Sequence, residues 1–492
     1  MIVKTRAAPS PTWFVHLWNL RTLLYDYLFA KKYDWIFLVR VEDTDQGRLV
    51  EGSIDALIKT FQKTWIMPDE GPAPFKDMWN WPYYQSQRLD IYKKYIDKLV
   101  EDGTAYYCFC TQDRLAQVRK EQEELKLPTK YDEHCRNLPL EESKKRVEDW
   151  EAYVIRLKVP KWEKLIFNDL VKWKIEFNTS ETDDFVLMKS DWFPTYHWAV
   201  VIDDYEMKVT HAFRWEEWLP SMPKQILTAR ALGIELPEYA HMPNILWMDR
   251  KKLSKRTWDV AVENYFRKWY LVDAMINYLA FLGWNPKTTE EIFTLEELIE
   301  KFDIKDVHKA WAVFDVEKLN WMNSQYIIKK TPEEIYGLLT EWMSEYENAF
   351  LNEVFLKFPK EYNLKIIKEL QTRLKKFDEF MELTTFFYWE AKLNHDLLIN
   401  EKMWLTSLEI SKDSLELADE ILGNLVSGDP ESVKAAFLDA IKTKWLKNGQ
   451  VLWPVRVALS GEQFSPGAFE LIAILWIEKS RERISKLLVS LK

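Results

Sequence analysis

Two segments that lie far apart in the sequence carry side chains suited to phosphate chemistry. The first, Arg6 to Asn19 (RAAPSPTWFVHLWN), passes from a short apolar start through a proline-rich turn into a helix that opens near His16. The first N–H groups of a helix have no partner within it, so a helix start after a strand and a turn is a ready anion site. A histidine there is more often structural, and the prediction therefore depends on the second segment.

The second segment is the basic loop DRKKLSKR at 249–256, in which Lys252, Lys255 and Arg256 surround a serine. Such a loop can fold over a polyphosphate and neutralise the charge that develops on a leaving pyrophosphate. A basic loop by itself is usually solvated surface. Paired with an anion-binding helix start, it predicts nucleotidyl transfer, in which the protein positions reactants and stabilises charge without a covalent nucleophile.

Arg6 and Glu42 indicate a second kind of ligand. Both follow predicted strands, and open α/β sheets bind ligands at the carboxyl ends of their strands. A guanidinium can hold a carboxylate through two hydrogen bonds, so these two side chains together suit a zwitterionic amino acid. The alternative for the acids at 42–45 (EDTD) is a solvated turn with a helix cap.

The elements that would position these residues alternate between strand and helix. Apolar spacing predicts a helix up to Ala30, and the apolar run at 35–41 predicts a buried strand typical of a parallel sheet. A helix at 53–63 is predicted with Ser53 and Asp55 as its caps.

Further along, residues 105–190 are predicted to be an insertion, with a charged helix at 114–125 and a strand at 154–159. The sheet is predicted to resume with strands at 198–202 and 208–210. From about residue 260 helical patterns dominate, for example at 333–343, 361–377 and 432–445.

Composition narrows the class of protein. The chain has 492 residues, is 47% hydrophobic and 30% charged, and carries a net charge of −10, so we expect a soluble globular protein whose whole surface does not favour nucleic acid. Three cysteines exclude a disulfide framework and suit a reducing cytoplasm. We expect no leader peptide, and the apolar run at 471–477 is too short to span a bilayer.

A dozen motifs occur in order along nearly the whole chain, most specifically within 1–285: RAAPSPT with His16, LVRVEDTD, DEGP at 69–72, YYQSQR, AYYCFC, VIRLKVP, DDFVLMKSD, PTYH, EEWLPSMPKQIL, DRKKLSKR, NYLAFLGWNP and VALSGEQFSPGAFEL. In these motifs the chain resembles bacterial-type glutamyl-tRNA synthetases, which are class I aminoacyl-tRNA synthetases. Residues 9–19 match the family's "HIGH" region, and residues 252–256 match its "KMSKS" loop.

The resemblance implies an α/β fold, with a Rossmann-like parallel-sheet catalytic domain, an inserted acceptor-binding domain and an all-α C-terminal anticodon-binding region. The implied divisions are 1–104 (catalytic domain, first half), 105–190 (inserted acceptor-stem-binding region), 191–258 (catalytic domain, second half, with the KLSKR loop), 259–330 (stem-contact helical domain) and 331–492 (helical anticodon-binding region).

The resemblance also implies a two-step reaction. Glutamate and ATP with Mg²⁺ give glutamyl-adenylate and pyrophosphate, and a terminal ribose hydroxyl of tRNA(Glu) then takes the glutamyl group. The implied partners are tRNA(Glu), L-glutamate and ATP, with no membrane, and the implied state is a monomer. Glutamine as substrate is disfavoured by Arg214, and a relative that glutamylates a modified base is disfavoured by the long helical C-terminal part.

Site residues carry over from the family by position. The implied catalytic residues are His16, Lys252 and Lys255. Those implied for ATP binding are Pro9, Ser10, Thr12, His16, Trp18, Asn19, Leu253, Ser254, Lys255 and Arg256. Those implied for glutamate binding are Arg6, Ala8, Ser10, Glu42, Tyr196, Arg214 and Trp218, with Arg214 on the side-chain carboxylate of the substrate.

Tryptophan replaces family glycines at several places. The chain has 12 glycines and 25 tryptophans, and tryptophan stands where the family usually has glycine at Trp13, Trp18, Trp192, Trp215, Trp258 and Trp269. An indole beside the nucleotide covers roughly 150–250 Å² of its own, and a left-handed backbone costs it about 1–2 kcal/mol. The alternative is therefore a catalytically impaired or redesigned relative, binding tRNA at most, whose ATP pocket is blocked by Trp13 and Trp18.

The cysteines resemble the zinc knuckle of some family members. Cys108 and Cys110 are followed, after 24 residues, by Cys135. The usual fourth ligand position holds Asn137, and His134 is out of register. Structural zinc takes four ligands, so the set is incomplete, and buried free thiols are the alternative.

Overall fold

The computed structural model describes residues 3–12, 15–250, 261–425 and 429–491. The chain forms two compact units, an N-terminal unit of residues 1–264 and 272–316 and a C-terminal unit of residues 265–271 and 317–492. The strands of the described residues are β1 (Lys4–Ala7), β2 (Ile36–Val39), β3 (Ala105–Cys108), β4 (Val154–Leu157), β5 (Lys164–Asp169), β6 (Trp173–Asn178), β7 (Val186–Met188), β8 (His211–Trp215), β9 (Glu238–Met242), β10 (Ile245–Leu246) and β11 (Ala312–Val313).

The α-helices of the same residues are α1 (Leu17–Lys32), α2 (Ser53–Thr64), α3 (Leu89–Glu101), α4 (Gln112–Glu124), α5 (Leu140–Glu148), α6 (Tyr196–Glu206), α7 (Met222–Leu232), α8 (Val262–Arg267), α9 (Val272–Phe281), α10 (Leu295–Lys301), α11 (Val316–Lys329), α12 (Pro332–Glu345), α13 (Ala349–Glu353), α14 (Lys360–Leu370), α15 (Glu379–Tyr388), α16 (Leu408–Asn424), α17 (Pro430–Thr443), α18 (Asn448–Ser460) and α19 (Ala468–Ser490).

A six-stranded sheet organises the N-terminal unit, in the order β2-β1-β8-β9-β5-β6. The first five strands pair in parallel, and β6 pairs antiparallel with β5. β1 lies between two neighbours, with Arg6 opposite Leu38 of β2 and Thr5 opposite His211 of β8. The predicted parallel sheet is confirmed. Because parallel strands end at the same edge, the residues that follow β1, β2 and β8 meet there.

Helix α1 connects β1 to β2 and packs on the sheet through Leu20, Leu24 and Leu28, each fully buried. The predicted helix up to Ala30 and the predicted strand at 35–41 are both confirmed. The predicted cap of α2 is wrong. Gly52 is the N-cap residue, with φ 77°, and the Ser53 hydroxyl donates instead to the Val50 carbonyl at 2.7 Å.

The strand predicted at 198–202 is wrong, because these residues lie in the middle of α6. All five side chains are buried, with at most 1% exposure. A helix that is apolar on every side shows the same continuous hydrophobic run as a buried strand, so periodicity does not separate the two. The strand predicted at 208–210 is also wrong, because these residues lie outside any strand and β8 begins at His211.

The region predicted as an insertion contains two structures. Strands β3, β4 and β7 form a separate antiparallel sheet in the order β3-β4-β7. The β5–β6 hairpin, although it lies between them in sequence, joins the main sheet through Asp169 opposite Tyr239. The predicted helix at 114–125 is confirmed by α4. The five domain divisions stay predictions.

The described part of 317–492 is helical. Helices α12 and α17 confirm the predictions at 333–343 and 432–445, whereas the helix predicted at 361–377 ends at Leu370. Among the described residues, each helix is either too short or too polar to cross a bilayer. The predicted all-α C-terminal region is confirmed.

Candidate active site

The turn after β1 is held against the segment that follows β2. The Arg40 N–H donates to the Ala7 carbonyl at 2.9 Å, and the Glu42 N–H donates to the Pro9 carbonyl at 2.9 Å. The Val50 N–H donates to the Pro11 carbonyl at 2.8 Å. Prolines 9 and 11 have no N–H, so their carbonyls alone make these contacts. The turn is thereby fixed at the edge where the parallel strands end.

Helix α1 begins beside this turn. His16 is its N-cap residue, with an extended backbone, and its side chain makes no capping hydrogen bond. No acidic residue lies in the first turn, so the partial positive charge of the helix start is left available for an anion. The Trp18 ring stacks on the His16 ring, with centroids 4.5 Å apart and an angle of 27° between planes.

Under the turn lies a network of buried charges. Arg6 Nε is 3.3 Å from Asp204 Oδ1, and Arg40 Nη1 is 2.8 Å from the same oxygen. Arg40 Nη2 also donates to Glu42 Oε1 at 3.0 Å. Arg6 and Glu42, which are predicted to hold a zwitterionic amino acid, therefore each also have a protein partner, and that prediction stays a prediction. A guanidinium has five N–H donors, so Arg6 retains donors beyond its contacts with Asp204 and the Phe213 carbonyl.

Burial and ion pairing shift the pKa values of these buried groups in different directions. Burial raises the pKa of Glu42 although Arg40 and Arg6 oppose it. Burial also acts to raise the pKa of Asp204, but Arg40 and Arg6 outweigh it, and the pKa of Asp204 lies below its usual range. Burial acts to lower the pKa of Arg6, but Asp204, together with Asp26 and Tyr196, outweighs it, so that pKa is raised. Arg6 and Asp204 therefore stay charged.

Arg214, in β8, is held rigidly. Its Nη1 donates to Gln225 Oε1 at 2.7 Å, and its Nη2 donates to the Tyr196 hydroxyl. The guanidinium carbon lies 5.5 Å from the ring centroids of Tyr196 and Trp218. Such a packed guanidinium loses little entropy when it binds a carboxylate. Nearby, burial lowers the pKa of His197 to about 3, with Lys224 and Arg214 adding to the effect, so this imidazole is neutral.

Arg6, Glu42, Arg214 and the start of α1 line one cleft of about 700 Å³. It contains every predicted site residue of the described 3–12 and 15–250 segments except the cysteines: Arg6, Ala8, Pro9, Ser10, Thr12, His16, Trp18, Asn19, Glu42, Tyr196, Arg214 and Trp218. The predicted residues Lys252, Leu253, Ser254, Lys255 and Arg256 lie outside the described residues, as do Trp13 and Trp258.

Other residues also line the cleft: Thr44 and Asp45 belong to the predicted segment 42–45, whereas the sequence analysis did not assign Asp26, Arg48, Phe213, Trp215 and Glu217 to the site. Asp26 had a signal in the sequence, since it is a carboxyl within the apolar pattern of α1. Burial raises its pKa well above the usual range, with Arg6 acting in the opposite direction.

Of the acids after β2, Asp43 is buried and its carboxylate accepts a hydrogen bond from the Ser86 N–H at 2.8 Å. The solvated-turn alternative is therefore wrong for Asp43.

The three cysteines come together away from the cleft. Their sulfur atoms all lie within 4.8 Å of one another, and Cys110 Sγ is 3.6 Å from Cys135 Sγ. The Tyr131 hydroxyl, which the sequence reasoning missed, lies 3.3 Å from Cys108 Sγ and 3.7 Å from Cys110 Sγ. A hydrogen bond from Cys135 lowers the pKa of the Cys108 thiol. The group therefore offers three sulfurs and one oxygen.

Known families match both parts of the chain. Residues 2–321 match the catalytic domain of class I tRNA synthetases (E and Q), and residues 334–488 match an anticodon binding domain. The glutamate–tRNA ligase of Clostridium tetani is 43% identical over 483 residues, which cover 98% of this chain and 96% of the relative. The chain belongs to the glutamate–tRNA ligases. The member of this ligase family from Alkaliphilus metalliredigens is 41% identical, with 98% of each chain covered.

Solved structures of the ligase family have the same fold. A glutamate tRNA ligase from Elizabethkingia meningosepticum, solved in complex with its amino acid, has a TM-score of 0.90 and 36% identity, with 100% of both chains covered. The glutamate–tRNA synthetase from Elizabethkingia anophelis has a TM-score of 0.88 and 35% identity, with 99% of this chain and 100% of that chain covered. The family is thus shown by sequence and by fold, and the resemblance inferred from the motifs is confirmed.

We predict that Asp204→Asn lowers the free energy of unfolding of the N-terminal unit by about 3–5 kcal/mol at pH 7, because Arg6 and Arg40 lose a buried counter-charge. The folded pKa of Asp204 is depressed, so its contribution is complete above about pH 4 and is lost as pH falls through the folded pKa. Urea denaturation at pH 7 and below pH 4 measures the difference, which should shrink in acid.

The control is Asp97→Asn, which removes an exposed ion pair with Lys93 and should cost less than about 1 kcal/mol. A loss from Asp204→Asn of the same size at both pH values would show that packing, not charge, determines the effect.

Proposed function

We propose that this chain attaches L-glutamate to tRNA(Glu) in two steps, with ATP and Mg²⁺, through glutamyl-adenylate. One observation carries the proposal: Arg6, Glu42, Tyr196 and Arg214 come from four separate segments and line the same cleft as the start of α1. The cleft combines cations for carboxylate with a helix N-terminus for phosphate. In this proposal, the chain acts as a monomer in the cytoplasm.

Each group has a proposed task. Arg214 holds the side-chain carboxylate of glutamate, and Tyr196 keeps the guanidinium in place through its hydroxyl. Arg6 and Glu42 lie at the α-carboxylate and α-ammonium end. The residues 9–19 turn and helix start hold ATP, with His16 on the phosphates. Lys252 and Lys255, with the rest of 252–256, stabilise the departing pyrophosphate.

The remaining parts of the chain would hold the tRNA. Residues 105–190 are proposed to contact the acceptor stem, and residues 259–330 to contact the adjoining stem. The helices of 331–492 are proposed to read the anticodon, which agrees with the family match over 334–488. Isotope exchange between pyrophosphate and ATP, dependent on glutamate and tRNA, tests the first step, and charging of tRNA(Glu) tests the second. Absence of both from the folded protein would contradict the proposal.

We predict that Arg214→Gln raises the KM for glutamate by about 100-fold or more, because a charge-assisted contact to the carboxylate is worth roughly 2–3 kcal/mol. The KM for ATP should change little. Steady-state exchange kinetics with each substrate varied in turn measures both values. Arg230→Gln is the matched control, since Arg230 is exposed on α7 and pairs only loosely with Glu163 at 3.5 Å. Equal rises in the two KM values would argue against a glutamate-specific role.

The impaired-relative alternative can be tested at Trp18, whose indole lines the cleft and stacks on His16. We predict that Trp18→Gly lowers the KM for ATP by about tenfold or more, because the space beside the helix start is freed. Pyrophosphate exchange measures the change. Trp81→Gly, an exposed position that does not line the cleft, is the control. An unchanged KM would show that the indole does not compete with ATP, and exchange that appears only in Trp18→Gly would favour the impaired reading.

Zinc is proposed for the sulfur cluster, because Tyr131 adds a fourth donor to the three cysteines and structural zinc takes four ligands. We predict one zinc per chain in metal analysis of the purified protein. Cys110→Ser should abolish binding, and Tyr131→Phe should weaken it by about 10–100-fold. Metal-free wild-type protein that takes up no added zinc would contradict the proposal and leave the buried-thiol alternative.

A further inference from the structure

Tryptophan occupies an unusual share of the left-handed backbone positions. Seventeen described residues other than glycine have a positive φ, and ten of them are tryptophan: Trp65, Trp79, Trp150, Trp162, Trp173, Trp192, Trp269, Trp404, Trp445 and Trp476. Their φ values lie between 55° and 74°. A side chain with a Cβ is strained in this region, and a bulky one is a genuine outlier. Five glycines of the described residues share the conformation.

The C-terminal ends of several helices show tryptophan at a position that usually holds glycine. Gly233 ends α7 with φ 64°, its N–H donating three residues back at 3.1 Å, while the next N–H donates five residues back at 3.1 Å. This pair of bonds is the Schellman motif, whose left-handed residue is usually glycine. The same two bonds, at 3.0–3.2 Å, occur with tryptophan in place of glycine at Trp150, Trp269 and Trp445.

Two other positions require glycine for different reasons. Trp173 begins β6 after the three-residue loop of the β5–β6 hairpin, with φ 69°, where such loops place a left-handed glycine. Trp476 has φ 70° and ψ 159° at the kink in α19. That region of backbone space is essentially restricted to glycine.

Packing does not explain these tryptophans, except for Trp269, which is buried. Nine of the ten are between 42% and 99% exposed, and Trp79, Trp150 and Trp445 exceed 90%. An exposed indole gains little hydrophobic burial to offset the backbone strain. By contrast, Trp198 and Trp284 have ordinary φ values and are at most 1% exposed. Tryptophans that build the core, such as Trp198 and Trp284, therefore differ from the ten that stand at glycine geometry.

We propose that the ten positions carry glycine in the cells that make this protein. In those cells, the codon at each of these positions is translated as glycine and not as tryptophan. The triplet UGA is a stop codon in most genetic codes, and variant codes read it as tryptophan or as glycine. One reassignment then explains both abnormal amounts, the 12 glycines and the 25 tryptophans. It also removes the strain at every one of the ten positions, and it does not depend on the catalytic activity.

The direct test is peptide mass spectrometry of the protein isolated from the cells that make it. Peptides that cover the ten positions should carry glycine, and those that cover Trp198 and Trp284 should carry tryptophan. Tryptophan in the ten peptides would overturn the proposal. The peptide that contains Trp18, whose backbone is helical, shows in the same experiment whether that cleft residue belongs with the ten.

Backbone strain can be tested separately in recombinant protein that carries tryptophan at the ten positions. Trp150→Gly, Trp445→Gly and Trp476→Gly should each raise the Tm by about 2–4 °C, because strain is removed without loss of buried surface. Trp311→Gly and Trp389→Gly are the matched controls, since both indoles are about half exposed at ordinary φ, and neither should raise the Tm. A Tm that is unchanged or lower in the first set would contradict glycine geometry at those positions.

Discussion

Two adjacent buried aspartates of α6, Asp203 and Asp204, fix the geometry on which the cleft depends. Asp204 pairs with Arg6 and Arg40, and Asp203 Oδ1 lies 2.7 Å from Arg88 Nε. Unpaired charges in the interior would cost several kcal/mol each. Strand β1, the segment after β2 and the segment before α3 must therefore all dock on one register of α6.

The network also decides which charges remain for a ligand. Because Asp204 is shared by Arg6 and Arg40, and Arg40 also holds Glu42, the protein neutralises part of its own field before any substrate binds. Arg214 is different, because its described partners, Gln225 and Tyr196, are neutral. Arg214 and the start of α1 at His16 both line the cleft, and a guanidinium and a helix N-terminus are both groups that attract anions.

In this chain, the residue type fails to suit the local backbone conformation at more positions than in an ordinary protein. The hydrogen bonds that end helices at Gly233 and at Trp150 are the same, although the two residues differ in size more than any other pair. Local hydrogen-bond patterns thus hold the backbone in place whichever side chain it carries. Most of these indoles are exposed to solvent, whereas the Trp18 indole lines the cleft.

The sequence by itself determined the parallel sheet, the helix after the first turn, the helical C-terminal region and the motif order that identifies the family, because these depend on local periodicity and residue type. It also predicted the cleft residues from Arg6 to Trp218. Only the tertiary structure decided that 198–202 is a helix, that Asp204 pairs with Arg6 across 198 residues, and that Tyr131 joins the cysteines. Those contacts leave no local pattern, since they form between segments that the fold alone brings together.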